Sequence, residues 1–127
     1  MDVNRPDVVA AVTAEFERYE RALVAGDLAV LSEQFWASPL TLRYGIADQQ
    51  VGADAVDEWR AAQPALPPGR ALEGTAVTTF GDAAAVVTTR FHYPDRPRVG
   101  RQSQTWIRFA EGWRIVSAHV SEIAAGA

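Results

Sequence analysis

Apolar residues recur at three- and four-residue steps through the first part of the chain and at two-residue steps through the last. Val9, Val12, Phe16, Tyr19 and Leu23 fall on one stripe, with Glu15, Glu17, Arg18 and Arg21 mostly off it, so residues 6–25 are predicted to form an amphipathic helix. Pro6 suits its opening turn and Gly26 can stop it. Asp27 can then cap a short second helix carrying Leu28, Leu31, Phe35 and Trp36, which ends before Pro39. Residues 41–46 read as a strand and Asp48-Gln-Gln50 as a polar turn. Gly52 opens a third helix over 53–63 with Val56, Trp59 and Arg60. Residues 64–69, Pro-Ala-Leu-Pro-Pro-Gly, form a loop because proline and glycine deny them regular structure.

Everything after that loop is strand-like. Strands are predicted over 72–80, 83–92, 100–109 and 113–122, and the breaks at Gly81-Asp82 and Glu111-Gly112 read as hairpin turns. No repeat or linker divides the chain, so residues 1–127 form one domain. Helices first and a meander afterwards imply an α+β fold: a cone-shaped, curved antiparallel sheet wrapped around three N-terminal helices. The open end of such a cone is a natural pocket.

The last two strands carry polar groups where a plain core would place valine or leucine. Gln102, Gln104 and Trp106 share one face, and Trp113, Ile115, Ser117, His119 and Ser121 share another. An unpaired polar group out of water costs about 1–3 kcal/mol, so these positions suggest a pocket wall.

Composition narrows the chemistry. With 48 % hydrophobic residues the chain can build a core. It has no apolar run of membrane-spanning length and no signal-peptide pattern at Met1–Pro6, so a soluble, cytoplasmic protein is expected. Without cysteine there is no disulfide, thiolate nucleophile or cysteine-bound zinc, and two separated histidines (His92 and His119) make no metal site. Every basic residue is arginine, which excludes Schiff-base chemistry, and the net charge of −4 argues against nucleic acid as a partner. No Gly-x-Ser-x-Gly motif occurs. The acidic residues gather in helices, turns and the tail, so neither a hydrolase triad nor a strand-borne isomerase base is evident.

The candidate residues each admit two readings. Tyr19 is either a core tyrosine or a phenol aimed into the cone as a hydrogen-bond or proton donor. Arg43 is either a solvated strand arginine or an internal clamp for a carboxylate. Arg60, beside Trp59, is a second anion clamp or a surface ion-pair partner. Gln104 suits a urea edge or an inter-strand bond. His119 is a satisfied core histidine or a substrate contact, and His92 lies at a strand end on the surface.

The element order, closing on Gly112-Trp-Arg-Ile-Val-Ser-Ala-His-Val-Ser121, resembles the nuclear transport factor 2-like superfamily, the cystatin-like roll that includes ketosteroid isomerases. Phe16-Glu-Arg-Tyr-Glu20, Phe35-Trp36, Arg43-Tyr-Gly45, Trp59-Arg60 and Gly100-Arg-Gln-Ser-Gln-Thr-Trp106 are similar to one bacterial branch of it. That branch holds oxalurate-catabolism accessory proteins and a cyanuric-acid-pathway enzyme that decarboxylates 1,3-dicarboxyurea to allophanate. The resemblance implies Tyr19 and Arg43 as the catalytic pair, without a cofactor. Arg60, Gln104 and His119 would hold the substrate, and Trp36 and Trp59 would exclude water. It leaves open a non-catalytic accessory module assisting a neighbouring amidase. A homodimer is expected in either case, because strands such as Ala84-Ala-Val-Val-Thr88 carry apolar side chains on both faces.

Overall fold

Pro6 at the first helical position and a dry stripe of Val8, Val12, Phe16, Tyr19 and Ala22 define α1 (Pro6–Ala25). Gly26 ends it in the left-handed conformation at φ 71°, which glycine adopts without strain. Asp27 then accepts a hydrogen bond from the Val30 amide and starts α2 (Leu28–Gln34). The computed structural model describes residues 1–126 and continues with β1 (Leu42–Tyr44), β2 (Gln49–Val51) and α3 (Ala53–Ala61). Four long strands follow: β3 (Ala71–Phe80), β4 (Ala84–His92), β5 (Arg98–Phe109) and β6 (Gly112–Ala124). No helix is long and apolar enough to cross a membrane.

The architecture is the expected α+β roll, with three differences in detail. Residues 49–51 form β2, antiparallel to β1, where a polar turn was expected. The sheet is also mixed: its order is β2-β1-β6-β5-β4-β3, and β1 runs parallel to β6 with Arg43 opposite Ala118. The chain makes this crossover through α3 and the meander, so β1 pairs with the last strand rather than with a neighbour in sequence. The second helix also stops earlier than expected. Phe35 is already extended and bridges Ile115, and the Trp36 amide donates to the Ile115 carbonyl.

The inward side chains stack in rows across the sheet. At the closed end Ala85, Trp106 and Ile115 are opposite one another and almost fully buried, packed with Val12, Phe16, Leu31 and Phe35 of the helices. Burying each large side chain there stabilises the fold by about 1.5–3 kcal/mol. The next row contains Val87, Gln104, Ala118, Arg43 and Gln50. The following rows are Thr89, Gln102 and Val120, then Phe91, Gly100 and Glu122. Polarity therefore enters the interior one row above the apolar floor.

A β-bulge in β6 decides what faces that interior. Thr105 pairs with Ser117 but Trp106 with Ile115, so Val116 is the additional residue. Strict alternation from Trp113 and Ile115 would have turned Ser117, His119 and Ser121 inward. The bulge reverses the alternation, so Ala118 and Val120 face in and His119 faces out.

Candidate functional site

The rows above the floor open into a cavity of about 570 Å³ between the sheet and the helices. Tyr19 reaches it from α1, Trp59 and Arg60 from α3, Arg43 from β1, and Gln104 from β5. The small Ala118 lies between Arg43 and Gln104 in the same row, so the guanidinium and the amide stand on either side of an open gap. Five of the residues expected from the sequence are thus brought together.

Arg43 is gripped on three sides. Its Nη1 donates to Asp48 Oδ1 at 2.7 Å and to Gln50 Oε1 at 3.0 Å, and its guanidinium carbon lies 3.6 Å from the centroid of the Trp59 ring. Gly45 makes this possible: a Cβ there would fall 2.5 Å from Asp48 Oδ1 and 2.7 Å from Arg43 Nη1. Burial pushes the Arg43 guanidinium below the ordinary arginine range. Asp48 offsets only part of that, and the neighbouring Arg60 adds to it. This buried cation is incompletely compensated, and an incoming anion would complete it.

Arg60 has no carboxylate partner among the described residues, and its Nη2 lies 3.4 Å from the Tyr19 hydroxyl. The phenol ring is buried against Phe35 while its oxygen meets a guanidinium inside the cavity. Gln104 is held by its carbonyl, which accepts from Trp106 Nε1 at 3.0 Å. Its amide nitrogen is left as a donor toward the gap beside Ala118.

A second polar cluster sits nearer the mouth and is satisfied within itself. Arg70 donates to Glu20 (2.9 Å), to the Tyr93 hydroxyl (3.2 Å) and to Gln102 Oε1 (3.2 Å), and stands 4.1 Å from the Phe91 ring centroid. Gln102 Nε2 returns a bond to Glu20. Burial alone would push the Arg70 guanidinium down, but the bonds and charge of Glu20 outweigh it and hold it above the ordinary range. Arg70 is therefore a neutralised strut, and Gln102 is not free to read a ligand. No local pattern signals the Glu20–Arg70 pair, whose members are fifty residues apart.

Two expected contacts lie elsewhere. His119 is exposed on the outer face of the sheet, edge-on to Tyr44 with ring centroids 5.9 Å apart, because the bulge at Val116 turns it away. Trp36 stacks on Phe109 at 5.2 Å near the closed end and does not line the cavity, because the chain leaves α2 before reaching it. His92 is exposed as expected. Among the described residues no group of three His, Cys, Asp or Glu gathers to hold a metal ion.

Comparison with known proteins agrees with this fold. The model of the AtzH-like family matches residues 1–126. The chain belongs to the AtzH-like family. This AtzH-like protein is 50 % identical to a cystatin-like fold protein from Burkholderia xenovorans LB400, with a TM-score of 0.95 over 98 % of both chains. It is 46 % identical to a protein of unknown function from Pectobacterium atrosepticum, with a TM-score of 0.94 over 97 % of this chain and 96 % of that one. An NTF2-like protein of unknown function from Pseudomonas putida shares the fold at 15 % identity and a TM-score of 0.77, over 92 % of this chain and 87 % of that one. No protein with a curated description matches the sequence.

Proposed function

We propose that this AtzH-like protein is a cofactor-free enzyme that removes CO2 from a small N-carboxylated urea, with conversion of 1,3-dicarboxyurea to allophanate as the reference reaction. The observation that carries the reading is an imbalance of charge: Arg43 and Arg60 share the inner cavity with one adjacent carboxylate, Asp48. Such a site favours an anion.

In this reading Arg43 holds a carboxylate through the guanidinium edge not occupied by Asp48 and Gln50. Gln104 donates to the urea carbonyl. The bond between nitrogen and the departing carboxyl carbon breaks, CO2 leaves, and the electron pair stays on nitrogen, delocalised into the urea carbonyl. Tyr19 supplies the proton that nitrogen takes up, and Arg60 beside its oxygen stabilises the phenolate until solvent reprotonates it. Trp59 covers the site and packs against Arg43.

The test is purified protein alone with 1,3-dicarboxyurea, following CO2 or allophanate release above the uncatalysed rate. Tyr19→Phe and Arg43→Ala are expected to abolish the excess rate, with thermal melting confirming that each variant folds. Normal turnover by both variants removes the mechanism. Binding without turnover, together with stimulation of an amidase, replaces it with the accessory-module reading. A homodimer through the outer sheet face, where Val86, Ile107 and Val116 are half-buried, belongs to the same proposal and is checked by sedimentation.

A further inference from the structure

We infer that the substrate carries an apolar substituent on the side away from its carboxylate, and that the outer part of the cavity is the subsite that receives it. The inference rests on the carboxylate-binding reading of Arg43 given above and extends it to the rest of the ligand. A cavity of about 570 Å³ is large for the reference compound. Pockets of about 300–1,000 Å³ ordinarily enclose drug-sized ligands. Dicarboxyurea has no carbon outside its urea and carboxyl groups, and it would occupy only the gap between Arg43, Arg60 and Gln104.

Outward from that gap the walls change character. Leu23 and Leu28 come from the helical side, Ile46 from the turn after β1, Leu66 and Pro67 from the segment after α3, and Val120 from β6. Leu28 is 49 % and Ile46 55 % exposed, so these side chains face the cavity mouth without protein atoms to cover them. Gln63, Arg96 and Arg98 also reach this region but are exposed to solvent at its rim, and the buried polar cluster is engaged within itself. Arg70 is engaged by Glu20, Tyr93 and Gln102, and the Gln102 amide is held between Arg70 and Glu20. A polar ligand body would leave water there and gain no partner from that buried cluster, whereas an apolar body would cover Leu28, Ile46 and Leu66. The outer cavity therefore selects for hydrocarbon, and the inner end for an anion.

Two stable ureas separate these contributions by calorimetric titration. N-carbamoylglycine has a urea and a carboxylate, and N-(phenylcarbamoyl)glycine adds a phenyl ring to the far nitrogen. The phenyl compound is expected to bind the parent protein about tenfold tighter or more. Leu28→Asn and Leu66→Asn, both at solvent-accessible positions, are expected to bring the ratio of the two affinities toward one, with thermal melting confirming the fold. Arg43→Ala is expected to weaken both ligands by the same factor. Equal or weaker binding of the phenyl compound overturns the inference and leaves the carboxylate site standing, as does an unchanged ratio in both asparagine variants. Failure of both ligands to bind, or indifference of both to Arg43→Ala, overturns the carboxylate reading and this inference with it.

Discussion

The Arg43 guanidinium lies over the Trp59 indole, 3.6 Å from the ring centroid, the one side chain coming from the sheet and the other from the helical layer. The contact joins β1 to α3 at the point where an anion would arrive. A cation over an aromatic face is stabilised by about 0.5–2 kcal/mol, and the stacking also fixes which edge of the guanidinium is presented. Trp59→Leu is therefore expected to weaken binding of a small dicarboxylate such as malonate several-fold, and Trp59→Phe to restore most of it. Titration of the three proteins side by side checks this. Equal affinity in all three would show that the stacking has no role in binding.

Lysine is not expected to replace Arg43. One nitrogen of the guanidinium is committed to Asp48 and Gln50, and only a planar, multi-donor group can keep those bonds while offering a second edge to the ligand. Hydrogen bonds to charged groups contribute about 1.5–3 kcal/mol, so Arg43→Lys is expected to lose about ten- to a hundredfold in malonate affinity. A lysine variant that binds as well as the parent would reduce the role of Arg43 to simple positive charge.

The Glu20–Arg70 pair holds α1 to the sheet, with side-chain exposures of 12 % and 5 %. Removing one member of a buried pair strands the other charge, at a cost of about 3–5 kcal/mol. Glu20→Ala and Arg70→Ala are each expected to lower the urea midpoint by a corresponding amount. The double replacement Glu20→Leu with Arg70→Met is expected to recover much of the loss. Additive losses in the double variant would contradict this account of the pair.

Gly100 lies beneath the Phe91 ring, and a Cβ there would overlap that ring's edge. Gly100→Ala is expected to destabilise the fold by about 1–3 kcal/mol through forced repacking. Since Phe91 also supports Arg70, the substitution should disturb the strut as well. Adding Phe91→Leu to Gly100→Ala is expected to return part of the stability, as measured by denaturant unfolding.

The sequence shows the helices and long strands because each has a dominant period: the stripe from Val12 to Tyr19 and the alternation from Gln102 to Trp106 both survive in the fold. The short β2 escapes because Gln49-Gln50-Val51 is brief and polar, and Gln50 faces inward only because Arg43 is there to receive it. His119 shows where alternation fails: one added residue at Val116 reverses every position after it, and local sequence does not mark the bulge. Arg43 illustrates a different limit. Alternation separates it from Leu42 and Tyr44 but does not say which side is concave. Here the usual order is inverted, with the arginine buried and Tyr44 in solvent. Trp36 is misplaced because the helical pattern outlasts the helix by two apolar residues.

The parallel pairing of β1 with β6 has a kinetic corollary. Residues 42–44 pair with residues 117–119, whereas each long strand pairs with the next one along the chain. Closing so long a loop is slow relative to forming the β3–β6 hairpins, which need only near neighbours. The proposed anion clamp should thus be the last region to become ordered, docking onto a meander already in place. A refolding experiment that follows the Trp59 environment alongside backbone structure would see the indole signal lag behind.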